Sequence, residues 1–284
     1  MGKSIVDRAR SYLGRGDAEG GGPPPGRRRE TREGLLHLLR ADGPHDFSRL
    51  DLDGVDLTDL DLRGVDLRAS SLAGADLSRT DLSGASLSET NLCGAKLVNT
   101  SLRGADLRNA NCLRSGSGDV PVRLAGADLG EADLLGCNLA RADLKGARLD
   151  GASLREANLN AADLDGASLR NASLVGANLR RAKLSGAHLE HADLTTADLS
   201  GTSAPLAVLR SATLRRANLR GADLSGADLS GADFSEASLN GADLSRSRLD
   251  GAVFAGADLD EVRMDESDRS RADLARGFNM PRPA

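Results

Sequence analysis

Residues 217–234 read ANLRGADLSGADLSGADF, and this five-residue pattern extends over most of the chain. A large apolar residue, here called the central residue, recurs every five positions from Leu52 to Leu107 and again from Leu124 to Met264, with a few exceptions. Ala commonly stands two positions earlier, with a polar residue between them. Neither the 3.6-residue period of a helix nor the long alternation of a flat strand fits. Each unit is therefore predicted to be a short strand and a turn, forming one side of a polygonal coil.

Asparagine indicates how many units complete one coil. At the position just before the central residue, Asn occurs several times. Within each of the two runs, these Asn residues are separated by twenty positions or by a multiple of twenty. Stacked Asn side chains can form hydrogen-bonded ladders, so this spacing predicts coils of four units. Phe234 and Phe254 are central residues twenty apart, and we expect them to stack in the core. The Asn positions are Asn91, Asn111, Asn138, Asn158, Asn178 and Asn218.

Glycine marks alternate corners of the predicted coil. Two positions after the central residue, Gly recurs with a period of ten in much of the chain, as at Gly64 and Gly74, whereas Arg79 and Glu89 occupy intervening corners. The third residue of a type II turn needs a positive φ, which Gly adopts without steric cost. We therefore expect two opposite corners to use such turns and the other two corners to use a different turn.

The motif Ala-(Asp/Asn)-Leu-x-x resembles the pentapeptide-repeat family. Residues 75–84 (ADLSRTDLSG), 142–146 (ADLKG) and 217–234 carry it, and the resemblance covers about residues 46–264. It implies an all-β solenoid, a right-handed quadrilateral parallel β-helix with Leu and Ala in a narrow core. The right hand is implied by the resemblance alone. At four units per coil, about 11 coils would form a rod roughly 50 Å long.

The pattern breaks between Cys112 and Leu124, where the central residues are twelve apart. The insertion is therefore two or seven residues long. Asn111 and Asn138 are twenty-seven apart, so seven inserted residues would keep the Asn column intact, whereas two would place Asp133 in it. We favour the insertion of seven residues as an exposed loop.

The remaining segments flank the two repeat runs. The Gly- and Pro-rich N-terminus is typical of a flexible linker, and four Leu residues at helical spacing follow it. An open end of a β-helix needs a cap, because it exposes unpaired backbone groups. The predicted divisions are a flexible arm at 1–29, a helical cap at 30–44, the first run at 45–112, the loop at 113–123, the second run at 124–264 and a C-terminal cap or tail at 265–284.

Composition gives no sign of catalysis. The Asp residues before central residues are expected to face water, and His188 and His191 lack a third ligand. The three cysteines are widely spaced, which favours a reducing, cytoplasmic setting. The net charge of -5 gives no reason to expect direct nucleic-acid binding. The sequence has no apolar run long enough to cross a membrane, so we expect no membrane span. We expect a non-enzymatic protein without cofactor or metal.

Two irregular zones are candidate contact sites. The loop offers polar and turn-forming residues on a rigid scaffold. Residues 201–222 are rich in Arg without an acidic residue, and apolar residues there occupy outward positions beside Ala204, which underfills a central position. The candidate contact residues are Ser115, Asp119, Pro121, Pro205, Leu206, Val208, Arg210, Arg215, Arg216 and Arg220.

The expected function is a rigid protein-interaction scaffold whose protein partner is unknown. The alternative comes from the resemblance: some pentapeptide-repeat proteins mimic DNA, bind DNA gyrase or topoisomerase IV and confer resistance to quinolones or related poisons. Those proteins usually carry Phe at many central positions, whereas this chain carries Leu. Duplex DNA of this length would bear about 30 charges, far more than this chain. Relatives also pair through the C-terminal end, which leaves a homodimer through Phe278 and Met280 open.

Overall fold

The computed structural model describes residues 28–39, 46–112 and 121–265. Strand β1 spans Arg28–Arg29, helix α1 spans Arg32–Leu39 and strand β2 spans Leu50–Asp51, and β1 pairs in parallel with β2. Beyond these elements, the backbone pairs through single parallel bridges, because each unit turns a corner after a few extended residues. No helix in the described ranges has the length and apolarity needed to cross a membrane.

Parallel bridges stack each unit on the unit twenty residues further along. Asn138 pairs with Asn158, and Asn158 pairs with Asn178, as the Asn spacing predicts. Across the insertion, paired residues are twenty-seven positions apart, because Asn111 pairs with Asn138. Asp133 pairs with Asp106 instead, in a different column. The predicted four-unit coil and the predicted insertion of seven residues are therefore both confirmed.

Leu and Ala fill the interior of the coil. Central residues such as Leu154 are fully buried, and so are Ala residues two positions earlier, such as Ala152. Phe234 and Phe254 stack with ring centroids 5.0 Å apart and an interplanar angle of 3°, which confirms their predicted contact. Offset or stacked aromatic pairs contribute beyond their burial, so this pair strengthens the C-terminal part of the core.

All four corners use the same backbone conformation, so the expectation of two turn types is wrong. Gly74 has φ 67°, but Arg79 at the next corner has φ 61°. The same hydrogen bond closes both corners, from Ala75 N–H to the Leu72 carbonyl and from Thr80 N–H to the Leu77 carbonyl. Every corner must bend the chain in the same sense to close the coil, so non-Gly residues are held in the left-handed region by packing around them.

Helix α1 lies against the first coil. Thr31 caps it, with Gly34 N–H donating to the Thr31 hydroxyl at 3.1 Å. Leu35 is fully buried within the main core, and Arg32 donates to the carbonyls of Asp56 and Thr58. A cap at this end remains a prediction in its full extent of 30–44, because residues 40–45 lie outside the described ranges. Residues 1–27 of the predicted arm at 1–29 and residues 266–284 of the predicted cap or tail at 265–284 lie outside them too, whereas Arg28 and Arg29 form strand β1.

Candidate interaction surface

Carboxylates before the central residues are tied to the backbone. Asp193 is typical: its Oδ1 accepts hydrogen bonds from Thr195 N–H at 3.0 Å and from the Thr195 hydroxyl at 2.6 Å. Asp76 and Asp243 make the same pair of bonds with Ser78 and Ser245. These bonds explain the preference for Asp or Asn here, since each side chain satisfies a backbone donor at a turn.

Two of these anchored carboxylates, Asp76 and Asp243, have a pKa below the usual range. The Ser78 hydroxyl, followed by its backbone N–H and by Lys96, lowers the pKa of Asp76 below its usual range. Arg63 lowers the pKa of Asp61 to about 2, mainly through a side-chain hydrogen bond. In the part of the chain that the structure describes, no group of three or more His, Cys, Asp or Glu side chains could hold a metal ion. The contacts observed for these carboxylates are bonds to the turns and ion pairs, as for Asp193 and Asp61.

One face of the coil carries a ladder of ion pairs along the axis. We call it the ladder face, and it contains residues 128, 148, 168, 188, 208, 228 and 248 with the residue two positions after each. Glu190 is its most buried charged residue, with 9% of its surface exposed. Its Oε1 lies 3.3 Å from Arg170 and 3.7 Å from Arg210, and Arg210 reaches Asp228 at 3.8 Å.

Glu190 stays ionised in this setting. Burial raises the pKa of its carboxyl, but its own backbone N–H, the Arg170 guanidinium and His188 together outweigh burial and lower that pKa overall. Its Oε2 is buried without a hydrogen-bond partner in the described structure. Sequence reasoning missed this residue, although its spacing of twenty from Arg170 and Arg210 could have revealed the contact.

The corner at Leu206 departs most from the repeat. Leu206 is 68% exposed, and it is the only large hydrophobic residue that is exposed among the side chains that the structure describes. Its φ of 60° lies in the left-handed region, where the corners above and below carry Gly226 and Gly186. Its Cδ2 lies 2.9 Å from the point that a Cβ on Gly226 would occupy. Pro205 and Val208 beside it are half-buried, so these three residues form an apolar surface, here called the Leu206 corner.

The candidate arginines do not form one patch. Arg210 lies on the ladder face beside Val208, whereas Arg215 and Arg216 follow on the next face and corner. Arg220 lies on a further face, where its Nε donates to the Ser238 hydroxyl. Arg215 pairs with Asp233 at 3.2 Å and Arg216 pairs with Glu236 at 2.8 Å, so acidic residues of the neighbouring coil offset the apparent basic zone.

The loop candidates are only partly described. Pro121 lies within the structure and is half-buried next to the fully buried Val122. Ser115 and Asp119 lie outside the described residues. The loop therefore remains a candidate contact on its sequence alone.

The chain belongs to the pentapeptide-repeat family. The family model for pentapeptide repeats matches it in eight copies, which extend from residue 46 to residue 276 with one short gap at the insertion. The matched segments are 46–84, 85–115, 123–161, 162–201, 197–231, 206–241, 227–265 and 242–276.

Three solved structures illustrate the similarity. HetL, a pentapeptide repeat protein involved in heterocyst differentiation regulation in Nostoc, is 36% identical over 82% of this chain and 94% of its own, with a TM-score of 0.36. QnrB1, a plasmid-mediated fluoroquinolone resistance protein, is 24% identical over 80% of this chain and 95% of its own, with a TM-score of 0.41. A pentapeptide repeat protein of the Arabidopsis thaliana thylakoid lumen is 31% identical over 40% of this chain and 68% of its own, with a TM-score of 0.22. No curated protein matches the chain.

Proposed function

We propose that this protein is a non-enzymatic scaffold that holds a protein partner against the Leu206 corner. The observation that carries this proposal is Leu206 itself, an exposed Leu in a left-handed backbone conformation that contributes nothing to the core. Asn or Gly would suit that conformation better, so stability alone does not explain Leu there. Exposed apolar surface bordered by charged residues is typical of protein contact sites.

The surroundings suit a partner with an apolar anchor and polar groups around it. Arg210 stands beside Val208 and is about half exposed, with a side-chain exposure of 56%. It is held between Glu190 and Asp228, so its guanidinium is positioned before a partner arrives. Preorganised Arg and large apolar residues carry much of the energy of protein interfaces. The loop at 113–123 is a second proposed contact.

The test compares variants of the full chain in proximity cross-linking with quantitative mass spectrometry. Leu206→Asn removes the apolar side chain and suits the left-handed backbone, so the fold is retained. A partner recovered with the wild type should fall to background with Leu206→Asn and with Arg210→Gln. Leu135→Ser, at a half-buried position on another face, is the matched control and should leave recovery unchanged. Equal recovery of every partner with Leu206→Asn would overturn the proposal.

The DNA-mimic alternative remains a prediction without specific support. Many carboxylates on this rod are paired with Arg or bonded to the backbone, which differs from an unbroken array of free negative charge. The similarity to QnrB1 is at the level of the fold. A supercoiling assay with purified gyrase is the direct test: inhibition, or protection from a quinolone, would establish this alternative in place of the scaffold. Assembly through the C-terminal end also stays a prediction, because Phe278 and Met280 lie outside the described residues.

A further inference from the structure

One face of the rod carries a column of Asn side chains. Within it, Asn158 donates from Nδ2 to Asn138 Oδ1 at 3.0 Å, and Asn178 donates to Asn158 Oδ1 at 3.2 Å. Each Oδ1 also accepts the backbone N–H two residues later, as Asn158 does from Asn160. The Oδ1 acceptors are thus used within the rod, whereas each Nδ2 has a second N–H that the ladder does not need. We call this surface the Asn face, defined by residues 138–141, 158–161, 178–181, 198–201 and 218–221.

Positive charge on the Asn face is poorly compensated. Its cations are Arg141, Arg180, Arg181 and Arg220, and its one carboxylate is Asp198. Arg180 lies 3.9 Å from Asp198, at the limit of an ion pair. Among the residues that the structure describes, the exposed guanidinium groups of Arg141 and Arg181 have no acidic partner, and the Arg220 guanidinium donates to the neutral Ser238 hydroxyl.

The next face carries carboxylates of its own at Asp143, Asp165 and Asp223, but within the described ranges none of them forms an ion pair with an arginine of the Asn face. Asp163 on the next face lies 3.2 Å from Lys145 and 3.3 Å from Lys183, which already balance it. Glu236, at the opposite corner of the Asn face, is paired with Arg216. Glu156 at that same corner is exposed and separate from the corner that holds Arg141 and Arg181. Between residues 138 and 221 the Asn face therefore presents net positive charge on a protein whose overall charge is -5, whereas the same column becomes acidic two coils later at Asp258, Asp260 and Glu261.

We propose that the Asn face binds an extended acidic protein segment that runs along the axis of the rod. Arg141 and Arg181 are two coils apart, as are Arg180 and Arg220, so each pair is separated by roughly 10 Å along the axis. An extended chain projects alternate side chains to one side about every 6.6 Å, which long Arg side chains can follow. Guanidinium and amide N–H groups are the donors that suit carboxylates, often in bidentate geometry.

A nucleic acid fits this surface less well. Proteins that bind single strands without sequence preference stack bases on aromatic side chains, and the Asn face contains none. The acidic balance of the chain also opposes a polyanion as long as a duplex. This inference goes beyond the proposed function, because the Leu206 corner and the Asn face are different surfaces with one face of the coil between them. Loss of one contact would leave the other intact.

The experiment measures fluorescence anisotropy with the full chain and a fluorescein-labelled peptide of alternating Glu and Ser. A peptide of alternating Gln and Ser and an oligothymidine are the comparison probes. We expect the acidic peptide to bind more tightly than both, and added NaCl to weaken binding. The triple variant Arg141→Gln, Arg181→Gln and Arg220→Gln should weaken binding about tenfold. These side chains are exposed, so the melting temperature should stay near that of the wild type.

The control is the triple variant Arg49→Gln, Arg123→Gln and Arg155→Gln. These arginines are also exposed and have no acidic partner in the described structure, but they lie outside the Asn face. This variant has the same formal charge as the Asn-face variant and should bind the peptide within about twofold of the wild type. Three results would each overturn the proposal: no binding of the acidic peptide, equal weakening by both triple variants, or tighter binding of oligothymidine. Protection from hydrogen exchange around residues 178–181 by the peptide provides a second measurement that needs no variant.

Discussion

Corner residues show how the fold constrains single side chains. Thr196 has φ 58°. Among the non-Gly residues with positive φ in the described ranges, it is the only one with a β-branched side chain. A β-branched residue is a poor fit to this region, whereas Asn tolerates it, as Asn99, Asn109 and Asn171 do here. We therefore expect Thr196→Asn to raise the free energy of unfolding by roughly 0.5–1 kcal/mol. Chemical denaturation of both proteins measures it.

Gly166 supplies the matched test in the opposite direction. Its φ is 67°, and a Cβ at this position would meet no atom within 4 Å. The Cβ of Gly166→Val is therefore free of steric overlap, and we expect a conformational loss of at least about 1 kcal/mol. If Thr196→Asn and Gly166→Val both left stability unchanged, strain at these corners would be negligible.

Two cysteines in the core replace one Leu and one Ala at the insertion. Cys112 holds a central position and Cys137 an inward position usually occupied by Ala, and their Sγ atoms lie 3.9 Å apart. Both are buried, and contact with Cys137 together with burial raises the pKa of the Cys112 thiol. We infer that the two substitutions compensate in volume: Cys112 is smaller than the usual central Leu, and Cys137 is larger than the usual Ala beside it.

This interpretation predicts coupling between the two positions. Cys112→Leu alone overpacks the core against Cys137 and should cost about 1–3 kcal/mol. The double variant with Cys137→Ala restores the usual Leu and Ala and should recover most of that loss, with a coupling energy of roughly 0.5–3 kcal/mol. Urea unfolding of the four proteins in the cycle measures it, and strictly additive effects would contradict the interpretation.

At the scale of the coil, one unit is underfilled. Ala204 occupies a buried central position in the column that holds Leu164, Leu184 and Leu224 in other coils. Ala204→Leu should raise the free energy of unfolding by about 1–3 kcal/mol, because the added side chain is buried between Leu neighbours. Leu164→Ala in the same column should lower it by about 2–5 kcal/mol. Thermal unfolding compares them, and destabilisation by Ala204→Leu would mean that the adjacent coils have closed over the space.

At the scale of the whole molecule, the anchored carboxylates couple stability to pH. The folded-state pKa is lowered for residues spread along the rod, including Asp61, Asp76, Asp106 and Asp243. Protons therefore bind the unfolded chain more tightly than the folded one in acid. Their stabilisation is complete above the unfolded pKa of about 4 and disappears as the pH falls through the folded values, which for Asp61 is about 2.

We therefore expect the melting temperature to be steady from pH 7 to about 5 and to fall between about pH 4 and pH 2. Calorimetry across this range is the measurement. Backbone and hydroxyl donors hold many of these carboxylates, as for Asp76 and Asp243, so added salt should alter the profile only modestly. A melting temperature independent of pH down to 2 would show that the Asp anchors contribute little.

The candidate surfaces were harder to predict than the fold. The sequence indicated Leu206 and Val208 as outward residues, and the structure places them so. It also suggested a basic zone around Arg210 and Arg220, but these residues lie on different faces, and Glu190 and Asp228 partner Arg210. Residues near one another in the sequence wrap around the coil, so a local run of charge does not make a charged patch.

The sequence by itself determined the four-unit coil, the stacking of Asn138 on Asn111 and the length of the insertion. It could do so because a fixed period makes each residue's neighbour in space the residue twenty positions away, so a long-range contact becomes a matter of counting. Only the tertiary structure decided the conformation of the corners and the pairing of charges between coils. Closure forces Arg79 into the same backbone region as Gly74, and pairing depends on how far each side chain reaches across the gap between coils.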